Sequence, residues 1–193
     1  AANALKPSQS AIFLGKSLGM AVGGVRGGDL GSIVSTDNHI LDGHHRWAAT
    51  LLSEPSVKIG GIEANLGIGD LVPVLRAMGD AFGNVRRGEP KGGDVNIYNA
   101  TIKDAMDALT KGKNMHPKFY DKEKSIEWLE NIGGRGELAK RLRFVKSHKP
   151  PKGAPPRIDM PVIDADKKQE ITTSALLRKG KLDVRSPYAE VEK

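Results

Sequence analysis

The 193-residue chain contains no cysteine. That absence excludes disulfides, thiolate metal sites and cysteine nucleophiles together, and nothing in the composition asks for an oxidising compartment. Aromatic residues make up only 5% and hydrophobic residues 38%, so a modest, aliphatic core is expected. No run approaches the ~18 apolar residues of a membrane span, so no membrane partner is expected. The opening Ala1-Ala2-Asn3 lacks a basic stretch followed by an apolar block, which argues against a signal peptide and leaves the cytoplasm as the default. The missing initiator Met suggests a chain trimmed or cut from something longer.

Turn-forming residues are plentiful, with 23 Gly and 11 Pro. The net charge of +7 is unevenly placed: residues 134–193 carry fifteen Lys/Arg against eight Asp/Glu, which accounts for the whole excess. A basic end on a near-neutral body is an electrostatic handle for phosphate backbone or another acidic surface. A solvated tail that keeps the protein soluble is the plainer alternative.

Local patterns divide the chain into three segments. In residues 1–85, Ser8 is placed to cap a helix carrying Ile12, Phe13, Lys16, Ser17 and Met20. Residues 32–35 and 39–42 read as a hairpin around Thr36-Asp37-Asn38, and HHRWAATLL (44–52) as a helix. A strand over 57–64 and a helix from Gly69 to Phe82 follow. The expected fold class is α+β, a small mixed sheet with helices. Residues 94–147 read as a helical subdomain, with helices over 97–109, 125–132 and 137–145. Residues 148–193 read as a Pro-rich linker and basic tail, and 86–93 as an exposed loop.

The strand-to-helix junction Asp42-Gly43-His44-His45-Arg46 carries the most chemistry. Gly43 permits a sharp turn and close approach of an anion to the backbone. The free N–H groups of the helix's first turn favour a phosphate there, and Arg46 adds a fork of donors. His44 and His45 are candidate catalytic proton-transfer groups near neutral pH. Asp42 is a third candidate catalytic residue, placed to cap the helix, hold a histidine or sit near a nucleotide's metal. The alternative is a common strand-turn-helix with Asp42 as a simple cap. Adjacent histidines on a helix cannot point the same way, so one at most is expected to face a ligand.

The stretch ILDGHHRWAATLL (40–52) resembles the signature of ParB/sulfiredoxin-like proteins, especially those of phages and plasmids. Leu5-Lys6-Pro7-Ser8-Gln9 is similar to the family's opening segment, and the likeness covers roughly 1–85. The resemblance implies a nucleotide site formed by Gly43 and Arg46, with Ser8 and Gln9 as further binding residues; separately, the 23–31 loop can fold over a nucleotide with Arg26 on a phosphate, its alternative being a flexible connector. It implies a nucleoside triphosphate (ATP or CTP) with Mg2+ as cofactor, and a place in phage or plasmid DNA metabolism, in host cytoplasm or virion. Sulfiredoxin chemistry is excluded, because that signature needs a cysteine where His44 stands. No dedicated protein metal site is predicted, although Asp29 in the 23–31 loop is a metal alternative to a flexible connector. An oligomer or larger assembly is compatible with the sequence.

Three functions compete on these residues. The first is a metal-assisted nucleotide phosphohydrolase, phosphotransferase or nuclease acting at the Gly43 turn. The second is a non-catalytic DNA-associated or virion-associated protein with a vestigial site, binding DNA through the basic region 135–185. The third is a structural subunit whose tail threads onto a neighbour.

Overall fold

The computed structural model describes residues 1–81, 94–161 and 187–188. Among these residues the protein is α+β, with six α-helices and one mixed four-stranded sheet. The strands are β1 (Lys6–Pro7), β2 (Gly28–Ser35), β3 (His39–Asp42) and β4 (Ile59–Ala64). The helices are α1 (Leu14–Val22), α2 (His44–Ser53), α3 (Ile68–Ala81), α4 (Ile102–Lys111), α5 (Lys122–Asn131) and α6 (Gly134–Ser147). The sheet order is β1-β3-β2-β4; β2 and β3 form the antiparallel hairpin, while β1 runs parallel to β3 and β4 parallel to β2.

Strand alternation fixes what lies on each face. Ile40 joins the main core, built with α1, α2, α4 and α6, whereas its neighbour Leu41 joins a smaller core with Ile68, Leu71, Val72, Met160 and Tyr188. The hairpin is held by its own polar residues. Ser35 Oγ donates to Asp37 Oδ1 (2.5 Å), and His39 Nδ1 lies 3.2 Å from Asp37 Oδ2. The Ile68 N–H also donates to Asp37 Oδ1, at 3.0 Å. Burial raises the Asp37 carboxyl, but Ser35, His39 and the Ile68 N–H together hold it below its usual value. This Ser-Asp-His group is a turn staple, since the serine gives its proton to the carboxylate and not to the imidazole.

The segment joining β1 to α1 departs from expectation. Ser8 does not cap a helix; α1 begins at Leu14. The reason is long-range. The N–H groups of Ser8, Ser10, Ile12 and Phe13 donate to His44 Nε2, Pro155 O, Asn96 Oδ1 and His45 Nε2 respectively. With its donors claimed from outside, the segment stays extended. The glycine-rich loop is also shorter than expected, because β2 already pairs with β4 from Gly28. Helix α4 starts at Ile102, not near Ile97, because Thr101 and Asp104 form a capping box.

Residues of the expected first and second segments share one core: Trp47, Leu51 and Leu52 pack in the same cluster as Ile97, Leu109, Leu138 and Leu142. At Gly19 of α1 a Cβ would stand 2.6 Å from Phe119 Cβ, so only glycine admits this approach of the two segments. Residues 148–161 also pack back on the body: His148 Nε2 lies 3.0 Å from Asn3 O, and Met160 is buried. The loop expected over 86–93 and the tail beyond 161, Pro187 and Tyr188 apart, lie outside the described residues. No helix among the described residues is long and apolar enough to cross a membrane.

Candidate functional site

Strand β3 ends on exposed Asp42, and Gly43 turns the chain into α2 with φ +97°, ψ 12°. That left-handed conformation favours glycine over any residue with a Cβ. A side chain would also have no room. A Cβ at Gly43 would lie 2.6 Å from Ser32 Oγ and 3.3 Å from Arg46 Nη2. The missing side chain thus lets Ser32 Oγ and Arg46 Nη2 pack close against the Gly43 backbone. Helix α2 begins there with no side-chain cap, so the N–H groups of its first turn have no side chain satisfying them.

Two buried polar atoms at this corner lack hydrogen-bond partners among the described residues: Ser32 Oγ and Arg46 Nε. Ser32 is fully buried. Leaving such a group unsatisfied costs about 1–3 kcal/mol. Arg46 is the half-exposed residue in an otherwise buried run from His44 to Leu52. Its Nη2 donates to Asp42 Oδ2 at 2.9 Å, and the two side chains are 34% and 68% exposed. An exposed i,i+4 pair of this kind contributes only about 0.3–0.5 kcal/mol. The pair is therefore a weak one.

Both histidines turn inward, where sequence spacing allowed one at most to face a ligand and gave the other no partner. His44 Nε2 accepts the Ser8 N–H at 3.1 Å, and Ser8 Oγ, 3.2 Å away, donates to Ile40 O at 2.5 Å. Burial drives the His44 pKa down to about 3, with Arg157 adding to the effect while Asp42 and the Ile40 backbone oppose it. His45 Nε2 accepts the Phe13 N–H at 3.1 Å, and its ring stacks on Phe13 with centroids 5.7 Å apart. Burial, then Lys16 and Arg157, holds His45 well below its ordinary value. Each imidazole is a neutral acceptor that ties α2 to the 8–13 segment. The i,i+1 geometry permits this because the segment wraps around the helix start and meets both rings.

The corner thus gathers Ser8, Asp42, Gly43, His44, His45 and Arg46. Gln9 adjoins them, buried, with its Nε2 donating to Ala11 O at 2.6 Å. Arg26 is not among them; it is exposed on the turn before β2 and has no hydrogen bond or ion pair with a described residue. Asp29 accepts the Gly31 N–H within its own turn. No group of three or more His, Asp or Glu among the described residues is arranged to hold a metal.

Sequence patterns did not single out Ser32, Phe13, Arg157 or Tyr188. Arg157 lies over the Phe13 ring at 5.5 Å, and the Tyr188 hydroxyl donates to Ser8 O at 2.9 Å. Ser32 carried one faint signal: it is a serine facing inward on a strand, where an apolar residue is the ordinary choice. No family model matches the chain, and no curated protein or solved structure matches it.

Proposed function

We propose that the Gly43 corner binds the phosphate group of a nucleotide, as the resemblance to ParB/sulfiredoxin-like proteins implies. The observation that carries this reading is the pair of buried, unpartnered donors, Ser32 Oγ and Arg46 Nε, beside an uncapped helix start. A phosphate that opens the corner gives these donors acceptors, and the first-turn amides and helix dipole add to the attraction. Arg157, Lys16 and Arg46, the cations that help depress His45, supply positive potential around the same corner. A triphosphate such as ATP or CTP with Mg2+ suits this donor set, with the phosphates and retained waters supplying the metal's ligands.

The corner's own residues bind and orient. His44 and His45 are occupied as backbone acceptors, so the proposed role is nucleotide binding and not histidine-driven proton transfer. Asp42 acts as a built-in competitor that keeps Arg46 extended toward the site until a phosphate arrives.

Thermal unfolding of the full chain with ATP, CTP, ADP and tripolyphosphate, each with and without Mg2+, tests the proposal. A ligand at about a hundred times its Kd adds about 2.7 kcal/mol of stability. The expected shift occurs with at least one nucleotide, is largely lost in Arg46→Gln and is weakened in Ser32→Ala. Absence of any shift, or a shift unchanged in Arg46→Gln, refutes it.

A further inference from the structure

A second anion-attracting feature lies away from the corner. The 96–99 turn and the C-terminal end of α6 enclose an open cleft of about 760 Å3, lined by Tyr98, Asn99, Arg143, Lys146 and Lys149 among others. Three of the lining residues are cations and none is Asp or Glu. Arg143 and Lys146 are three residues apart and share one helix face; Lys149 follows just past the helix end.

These cations are not explained by the helix. A helix C-terminus carries roughly half a negative charge, and basic side chains near it are ordinary. Here the Phe144 and Val145 carbonyls already have partners. Ser147 Oγ donates to Phe144 O at 2.7 Å, with His148 Nδ1 also 2.8 Å from that oxygen, and the His148 N–H donates to Val145 O. Lys146 Nζ donates to Ala100 O at 3.0 Å, which fixes it at the cleft wall with two further protons to give. Arg143 and Lys149 are exposed and have no ion-pair partner among the described residues. Three full positive charges outweigh the half charge of the helix end, so the cleft is cationic.

Its other walls suit a base. The Tyr98 hydroxyl is spent on His148 O at 3.1 Å, which holds the ring in place. Asn96 is likewise spent, its Oδ1 accepting the Ile12 N–H and its Nδ2 donating to Ser10 O. The exposed Asn99 amide has no hydrogen bond with a described residue and offers both donor and acceptor.

We infer that this cleft binds single-stranded nucleic acid, with Arg143, Lys146 and Lys149 on successive phosphodiesters and Tyr98 and Asn99 beside a base. A cationic groove with an aromatic wall is the usual arrangement for a single strand. The volume is that of a pocket for a small ligand, too small for the body of a double helix whose major groove alone is about 12 Å wide.

The test titrates a fluorescent twelve-residue oligothymidylate into the full chain at several salt concentrations, alongside the same-length duplex and a polyglutamate competitor. The comparison variant is Arg143→Gln/Lys149→Gln, whose changed side chains make no hydrogen bond or ion pair with a described residue; equal melting temperatures confirm that it folds. The expected outcome is single-strand binding that falls at least tenfold in the variant. Its log–log salt slope should become shallower by about 1.4, two phosphate contacts at roughly 0.7 each. Arg46→Gln should leave this binding unchanged, which separates it from failure of the nucleotide proposal. Binding equal in the double variant, preference for duplex, or equally effective competition by polyglutamate overturns the inference.

Discussion

At the Gly43 corner the polar atoms are few, buried and fixed by the backbone, whereas at the cleft beside α6 the cations are several, exposed and carried on long side chains. The corner depends on geometry: Gly43 at φ +97° lets the backbone turn hard against Ser32 and Arg46. The cleft depends on charge: Arg143 and Lys149 reach it from the surface, and Lys146 alone is pinned. Crowding the corner at Gly43 should therefore alter folding and binding together. Those at the cleft should alter binding alone, and in a strongly salt-dependent way. The short segment 8–13 edges both, with Ser8 on His44 and Ser10 lining the cleft.

The sharpest way to break the contrast is at the glycine itself. Gly43→Ala should cost about 2–3 kcal/mol, combining left-handed strain of about 1–2 kcal/mol with crowding against Ser32 Oγ. Gly24 provides the control, because it has φ +95° and nothing within 4 Å of an added Cβ. Gly24→Ala should cost only about 1 kcal/mol. In Ser32→Ala/Gly43→Ala the crowding is relieved, so a double-mutant cycle by urea unfolding should show coupling of about 1 kcal/mol. Equal costs at the two glycines, or strict additivity, would show that the corner is not packed as described.

The next effect is on acid stability. Folded His44 stays neutral down to about pH 3, while the unfolded chain takes up that proton below about 6.5. Folding is thus fully supported by His44 above pH 6.5 and loses that support as pH falls toward 3. By pH 5 the loss is about 2 kcal/mol from His44, and His45 acts in the same direction. Urea midpoints measured from pH 7.5 to 5 should fall, and His44→Asn should flatten the profile even if it lowers stability throughout. A profile as steep in His44→Asn as in the wild type would remove His44 from the explanation.

These predictions rest on residues whose legibility in the sequence differed. The hairpin around Asp37, the α2 run from His44 and the glycine corner followed from alternation, helix-forming composition and the demand for positive φ, all local signals. The extended 8–13 segment did not, because its N–H groups are taken by His44, His45, Asn96 and Pro155, residues 36, 32, 84 and 145 positions away from their donors. A local cap signal at Ser8 loses to four long-range acceptors. For the same reason the histidines read as proton carriers in isolation and as backbone acceptors in place. Ser32 and Arg157 entered the corner only through tertiary packing.

A third effect, near 1 kcal/mol, separates a binding atom from a structural one. Ser32→Ala removes a buried hydroxyl with no partner among the described residues, so the ligand-free protein should be unchanged or more stable by about 1 kcal/mol. Nucleotide binding should weaken in the same variant. A structural serine would give the opposite result, with stability lost and affinity untouched; calorimetry of both quantities on one preparation distinguishes them.

The smallest expected change in stability falls on Asp42, and it sharpens the contrast most. Asp42→Asn removes an exposed pair contributing about 0.3–0.5 kcal/mol, so the melting temperature should barely move. Yet it frees Arg46 Nη2 from a competing carboxylate and removes a negative charge from the mouth of the corner. Phosphate affinity at the corner should rise severalfold, while oligothymidylate binding at the cleft stays level. Isothermal titration of tripolyphosphate into Asp42→Asn and wild type reads the first quantity, and fluorescence titration the second. A fall in phosphate affinity would mean that Asp42 positions Arg46 as a support, not a competitor. An equal rise at both places would mean that the substitution acts through overall charge, and the corner would then differ from the cleft in burial but not in mechanism.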